Sequence, residues 1–189
     1  MRTPQAATMG RETAAKYPSK TSVIMMSGLP GTGKTYFSQK LAERLPLPII
    51  ESDSVRKQLF PKPSYSPTEN TQVFQKIHRQ IEALLDQGSS VIFDATNLEE
   101  RHRRSVYRIA DKYGARMIIV QIEAPPELVK NRLLKRVTQP DSSNYSDADW
   151  NVYRRMKSSV EKISLPHFRV NTAGDITPII DKIVREIRR

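Results

Sequence analysis

Residues 22–35 read SVIMMSGLPGTGKT, and this stretch decides the fold. Ser22 to Ser27 is a continuous apolar run, as expected of a strand covered on both faces. Gly28-Leu29-Pro30-Gly31-Thr32-Gly33-Lys34-Thr35 fits the pattern G-x-x-x-x-G-K-[ST]. Thr35 to Leu45 then carries helical periodicity. Strand, glycine loop and helix in that order form a phosphate cradle. Glycines let successive backbone N–H groups turn toward phosphate oxygens, and the helix N-terminus adds partial positive charge. Lys34 suits the β- and γ-phosphates of a nucleoside triphosphate, and the Thr35 hydroxyl suits Mg²⁺.

The same alternation continues downstream. Pro48–Ser52, Val91–Phe93, Met117–Ile122 and Phe168–Val170 read as further short strands. Between them lie helical segments. One has Val73, Phe74, Ile77, Ile81, Leu84 and Leu85 on one face and Gly88 as its stop, and another runs from Leu98 to Tyr113 before Gly114. A third opens at Pro125-Pro126. Ser146-Asp147-Ala148-Asp149 resembles a capping box, and Ile176 to Ile187 forms a last amphipathic helix. The expected fold class is α/β, with about five parallel strands and helices on both faces. Residues 21–189 form one domain, and residues 1–20 read as a disordered basic tail.

Composition narrows the function classes. The chain has 189 residues and no Cys, which excludes thiolate metal sites, cysteine nucleophiles and disulfides. No apolar run approaches the roughly 20 residues of a membrane span, and no secretory h-region is present. A cytoplasmic protein without an obligate protein partner is expected. The 31 Lys and Arg against 20 Asp and Glu leave a net charge of +11, which favours polyanionic ligands.

In such sheets ligands sit at the carboxyl ends of the strands, so the residues there are candidates. Asp94 ends the third strand in VIFDATN (91–97) and is expected to hold Mg²⁺ together with Thr35; Asn97 could cap the next helix or meet substrate. Asp53 follows the second strand and could accept a proton from an attacking hydroxyl, with Glu51 as competitor. Arg56, three residues on, could hold Asp53 ionised or bind a substrate phosphate. Arg132 and Arg136 stand i, i+4 before a polar segment ending at Tyr145, and residues 132–146 could form a mobile lid whose arginines neutralise transferring phosphate. Arg101, Arg103, Arg104 and Arg108, with His102 among them, could track a polynucleotide backbone or merely face solvent. His78, His167, Tyr107, Trp150 and Tyr153 are expected to serve packing.

Together, GLPGTGKT after strand one, Asp53 with Arg56 after strand two, DATN after strand three and Arg132/Arg136 resemble the kinase domain of polynucleotide 5′-hydroxyl kinases. They also resemble the small bacterial P-loop kinases that include zeta-toxin-like proteins. The likeness spans residues 21–189. Tyr36 departs from it, standing where many relatives carry a second hydroxyl. The resemblance implies an ATP- and Mg²⁺-dependent kinase whose ATP-binding residues are Gly28, Leu29, Pro30, Gly31, Thr32, Gly33, Lys34 and Thr35. It implies Asp53 as general base, Arg56, Asn97, Arg101 and Arg104 on the substrate side, and Arg132 and Arg136 as lid arginines. The +11 charge favours the 5′-hydroxyl of a nucleic acid as acceptor. A kinase of a sugar or other metabolite is the alternative, and a nucleotide-binding switch without an acceptor is a third reading. The absence of an Asn-Lys-x-Asp segment argues against a guanine-reading GTPase.

Overall fold

The computed structural model describes residues 20–138 and 146–188. The expected tail (residues 1–19) and the central part of the expected lid (139–145) lie outside the described residues. Five strands form one parallel sheet: β1 (Ser22–Ser27), β2 (Ile49–Glu51), β3 (Val91–Asp94), β4 (Arg116–Glu123) and β5 (Phe168–Asn171), in the order β2-β3-β1-β4-β5. The chain leaves β1 for the edge strand β2, returns beside β1 as β3, and crosses to its other side as β4. The carboxyl end of β1 therefore sits at a topological switch point, where such sheets bind ligands.

The continuous apolar strands are explained by two cores. Val23 and Met25 of β1 face a cluster with α3 (Pro67–Asp86) and α4 (Glu100–Lys112), while Ile24 and Met26 face α1 (Lys34–Arg44) and α7 (Thr177–Ile187). Successive side chains on a strand point to opposite faces, so a strand covered on both sides must be apolar at every position. α3 begins where Ser66 accepts a bond from the Glu69 N–H and Pro67 takes the first helical position, and it buries Val73, Ile77, Ile81 and Leu85 along one stripe. The short α2 (Ser52–Leu59) connects β2 toward it. Among the described residues no helix is long and apolar enough to cross a membrane.

Some local expectations are corrected. α4 starts at Glu100, and its cap position is Glu99 rather than Asn97, without a side-chain capping bond. Asn97 lies in the left-handed region at φ 43°, and its amide donates to the Met26 carbonyl at 2.8 Å, tying the loop after β3 to β1. The helix after the polar segment, α6 (Trp150–Met156), is capped by Asp149, which accepts from the Val152 N–H at 2.8 Å; Ser146 lies too far upstream to serve it. Trp150 and Tyr153 stack with ring centroids 4.7 Å apart, and Tyr153 packs with Val129 and Leu133 of α5 (Pro126–Thr138), as expected of packing residues.

The largest correction concerns the basic helix. Arg103 is fully buried and does not face a ligand. Its guanidinium donates to the carbonyls of Asn97 at 2.9 Å, Leu98, Glu161 at 3.2 Å and Lys162 at 3.0 Å, and it pairs with Glu100. It thus fastens the loop after β3 to the segment before β5. Arg103→Ala is expected to lower unfolding free energy by about 3 kcal/mol or more, because it leaves several buried carbonyls unpaired. Arg104→Ala, on the exposed side of the same helix, should stay within about 0.5 kcal/mol of the parent. Paired urea denaturation curves check both.

Candidate active site

The glycine loop and the first turn of α1 hold no capping side chain: Gly33 is the cap residue, at φ 97°. The first N–H groups of α1 are therefore free of side-chain partners and available to an anion. The loop is braced from below. Gly28 N–H donates to the Thr96 carbonyl at 2.9 Å, and the Thr32 hydroxyl donates to the Leu29 carbonyl at 2.8 Å. Gly31 sits at φ 77°, where a Cβ would meet Val129 at 2.9 Å and Leu133 at 3.0 Å on α5. Only glycine satisfies both that conformation and that approach.

Lys34 heads α1, and its ammonium donates to the Leu29 carbonyl at 2.9 Å. Burial lowers its pKa, while the charges of Asp94, Asp53 and Glu51 oppose that effect and Arg136 adds to it. The same five groups recur around one another. Glu51 and Asp94 are direct partners in the β2–β3 register, so two carboxyl side chains leave the sheet at the same level. Burial raises the Glu51 carboxyl to about 7, with repulsion from Asp94 and Asp53 adding and Arg136 and Lys34 offsetting. Asp94 is 2% exposed, and burial raises its pKa against the pull of Lys34 and of the Thr35 hydroxyl. Burial lowers Arg136, opposed by Asp53 and Glu51, and one of its buried guanidinium nitrogens has no partner.

Arg132 stands elsewhere than its neighbour one turn on. It donates to the Thr172 hydroxyl at 2.8 Å and to the Thr32 and Thr172 carbonyls at 3.3 and 3.0 Å. The Thr172 hydroxyl in turn donates to the Thr32 carbonyl at 2.6 Å. Arg132 thus clasps the outside of the glycine loop. Thr172 was not among the residues singled out from the sequence; its place just beyond the end of β5 was the available signal.

Arg56 is also engaged differently from expectation. It is 7% exposed, and its guanidinium pairs with Glu69 and donates to Asn70 at 2.7 Å, both on α3, rather than pairing with Asp53. Burial works against the Glu69 carboxylate, yet hydrogen bonds from Ser64 and Arg56 hold it at about 2. Arg101 and Arg104 are exposed and pair with Glu99 at 2.6 Å and Glu100 at 3.5 Å.

A divalent ion fits one end of this arrangement. Asp94 keeps a buried carboxylate oxygen without a partner, beside the Thr35 hydroxyl and the phosphate loop. Among the described residues no set of three His, Asp or Glu side chains is disposed to hold a metal unaided. Mg²⁺ typically takes one or two protein oxygens and completes its shell from phosphates and water.

The profile of the AAA_33 family, an AAA domain, matches residues 23–163. The chain belongs to this family. It is 29% identical over 137 residues to a UPF0200 protein of Saccharolobus solfataricus, covering 66% of this chain and 70% of that protein. Among solved structures it resembles Kti12 of Chaetomium thermophilum, crystallised with ADP-AlF3. The TM-score is 0.73 at 17% identity, over 87% of this chain and 98% of that one. It also resembles the Mycobacterium tuberculosis APS kinase CysC bound to AMPPNP and APS, with a TM-score of 0.68 at 16% identity, over 89% and 98%. The AAA_33 domain here has the P-loop kinase-like fold, with the expected five-stranded parallel sheet and flanking helices.

The raised Glu51 carboxyl sets a testable pH dependence. Between its ordinary value and about 7 the folded chain holds a proton that the unfolded chain has released, so Glu51 costs stability increasingly across that window as pH rises. Glu51→Gln, neutral at every pH, should melt with the parent at pH 4 and above it at pH 8. Thermal unfolding of the two proteins without nucleotide, across that range, measures the difference.

Proposed function

We propose that this AAA_33 domain is an ATP-dependent phosphotransferase that moves the γ-phosphate to a hydroxyl acceptor. The supporting observation is the convergence of Lys34, Arg136, Asp94, Asp53 and Glu51 at the end of the glycine loop, where Lys34 and Glu51 each interact with all the others. A switch that only binds nucleotide needs the loop and a metal ligand. It does not need two further carboxylates and a half-buried arginine with an unpaired nitrogen.

In this reading the loop N–H groups and Lys34 bind the phosphates, and Arg136 takes up charge that develops on the transferring group. Mg²⁺, held through Thr35 and Asp94, would supply positive charge between the β- and γ-phosphate oxygens. Asp53 orients the acceptor hydroxyl and receives its proton. Arg132 acts as a positioning residue, through its bonds to the loop and to Thr172. Arg56 positions α2, and with it Asp53, through Glu69.

The nucleic-acid acceptor suggested by the net charge has less support than a small molecule. Of the residues counted for it, Arg103 is consumed internally, Asn97 is 1% exposed and tied to β1, and Arg101 and Arg104 already carry carboxylate partners. The groove bordered by Arg101, Arg104, Tyr107 and Arg108 is the observation that favours a polynucleotide. If a polynucleotide is the acceptor, its KM should rise steeply with salt, by roughly one log–log unit per phosphate contact, and Arg104→Ala with Arg108→Ala should flatten the slope.

The central test is Asp53→Asn. Nucleotide affinity should stay within about twofold, because the loop and Asp94 carry it, while phosphoryl transfer falls by about 10²- to 10⁴-fold. Lys34→Ala should abolish both. Calorimetric titration with an ATP analogue, together with γ-labelled ATP transfer assays, separates the two effects. Transfer by Asp53→Asn within a few-fold of the parent would remove Asp53 from the mechanism and leave Glu51 as the base.

A further inference from the structure

Beside the charged cluster lies a second feature of different chemistry. A cleft of about 220 Å³ runs along the edge strand β2, between α1 on one face of the sheet and α2 and α3 on the other. Thr35 and Gln39 contribute from α1, Glu51 from β2, Ser54 and Gln58 from α2, and Gln80 from α3, over a floor of β2 and α2 aliphatic side chains. Among the described residues no Lys or Arg lines this cleft, although the chain carries 31 of them, and no aromatic ring does.

Each of these facts excludes a ligand class. An anion entering here would meet Glu51 in the lining, while Lys34 and Arg136, the cations that act on Glu51, belong to the phosphate end and not to the cleft walls. A nucleobase would find nothing to stack on. A wholly apolar ligand would match none of the three amides and two hydroxyls of the lining. Drug-sized ligands occupy pockets of roughly 300–1,000 Å³, so the occupant is small.

The amides of the lining suit hydroxyl partners. Gln80 is half-buried in it, and Gln39 and Gln58 stand at its exposed rim. A hydroxyl both donates and accepts, as a primary amide does through its two ends. Finally, Thr35 and Glu51 border both the cleft and the phosphate end of the site. An occupant's hydroxyl can therefore lie beside the position of the transferring phosphate.

We infer that this cleft holds the acceptor, and that the acceptor is a small uncharged polyhydroxy compound of the sugar or polyol class, selected by Gln39, Gln58 and Gln80. The inference rests on the phosphotransferase reading and names its substrate class. The step balances as R–OH + ATP → R–OPO₃²⁻ + ADP + H⁺. The acceptor oxygen forms the new P–O bond, the bond from the γ-phosphorus to the bridging oxygen breaks, ADP leaves with that electron pair, and the hydroxyl proton passes to the carboxylate cluster.

The experiment offers γ-labelled ATP and Mg²⁺ to the full chain with several separate acceptors. These are uncharged polyols and aldoses (glycerol, ribitol, ribose, glucose, inositol), a sugar acid, a nucleoside, a nucleoside monophosphate and a 5′-hydroxyl oligonucleotide. Label should appear on at least one uncharged polyhydroxy compound. Gln80→Leu should raise the KM for that compound about tenfold or more, the scale of one lost buried hydrogen bond, with the KM for ATP within about twofold. Gln58→Leu, on the exposed rim, should raise it in the same direction without threatening the fold, which circular dichroism checks for both variants. Label confined to the acid, nucleoside, nucleotide or oligonucleotide arms overturns the inference and leaves the phosphotransferase reading standing. So does ATP binding and hydrolysis with no labelled polyol, or an acceptor KM unmoved in both folded variants. Failure to bind ATP at all overturns both.

Discussion

A part-buried ammonium among carboxylates is the constraint on which the site depends. Lys34 lies at the head of α1, where burial disfavours its charge, and the nearby Asp94, Asp53 and Glu51 offset that cost. Burial drives the Glu51 carboxyl toward 7, and repulsion from Asp94 and Asp53 adds to it. Without phosphate the cluster balances itself only in part, since Arg136 and Asp94 each keep a buried polar atom without a partner. In the proposed reading a nucleotide phosphate chain with a divalent ion would supply both missing signs of charge: oxygens for the guanidinium and a cation for the carboxylate. Charge held in place in this way stabilises developing charge without further rearrangement.

Holding these groups in place takes arginines that the net charge would otherwise assign to ligands. Arg103 fastens the loop after β3. Arg132 joins α5 to the glycine loop and to Thr172 beyond β5. Arg56 clips α2 to α3 through Glu69 and Asn70, under the ring of Tyr65 at 4.7 Å. Tyr65 itself adopts φ 55°, an uncommon conformation for a bulky residue. It donates from its hydroxyl to Asp147 at 3.0 Å, which also pairs with Lys57 at 3.1 Å. The wall of the polar cleft built on α2 is thus supported along its last turn by ionic and aromatic contacts. A guanidinium suits this work because it offers five donors in a rigid plane.

Much of this architecture was legible in residues 22–35 alone. The apolar run Val23–Met26 pointed to a strand buried on both faces, and the glycine pattern between it and a helix pointed to a phosphate loop. The spacing of Val73, Ile77 and Ile81, and of Ile180, Ile183 and Ile187, specified helices whose stripes the two cores now contain. Asp94 was legible as a strand-end carboxylate, because the carboxyl ends of parallel strands converge on one rim; at the second strand the sequence favoured Asp53, which lies in the first turn of α2, while Glu51 ends β2.

What the sequence could not determine was which polar groups would be spent on the fold. Arg101, Arg103, Arg104 and Arg108 are alike as letters, yet one of them is fully buried. Its fate depends on carbonyls of residues 97–98 and 161–162 that meet only when β5 closes the sheet. Arg56 reads as a partner for Asp53 three residues away, but the packing of α2 on α3 offers it Glu69 instead. Gln39, Gln58 and Gln80 carry no local signal at all and become one wall only because α1, α2 and α3 meet around the edge of β2. Local periodicity and backbone chemistry are properties of neighbouring residues, and the sequence by itself determined those. The pairing of a charge, and the chemistry of a cleft, are properties of groups far apart in the chain, and only the tertiary structure decided them.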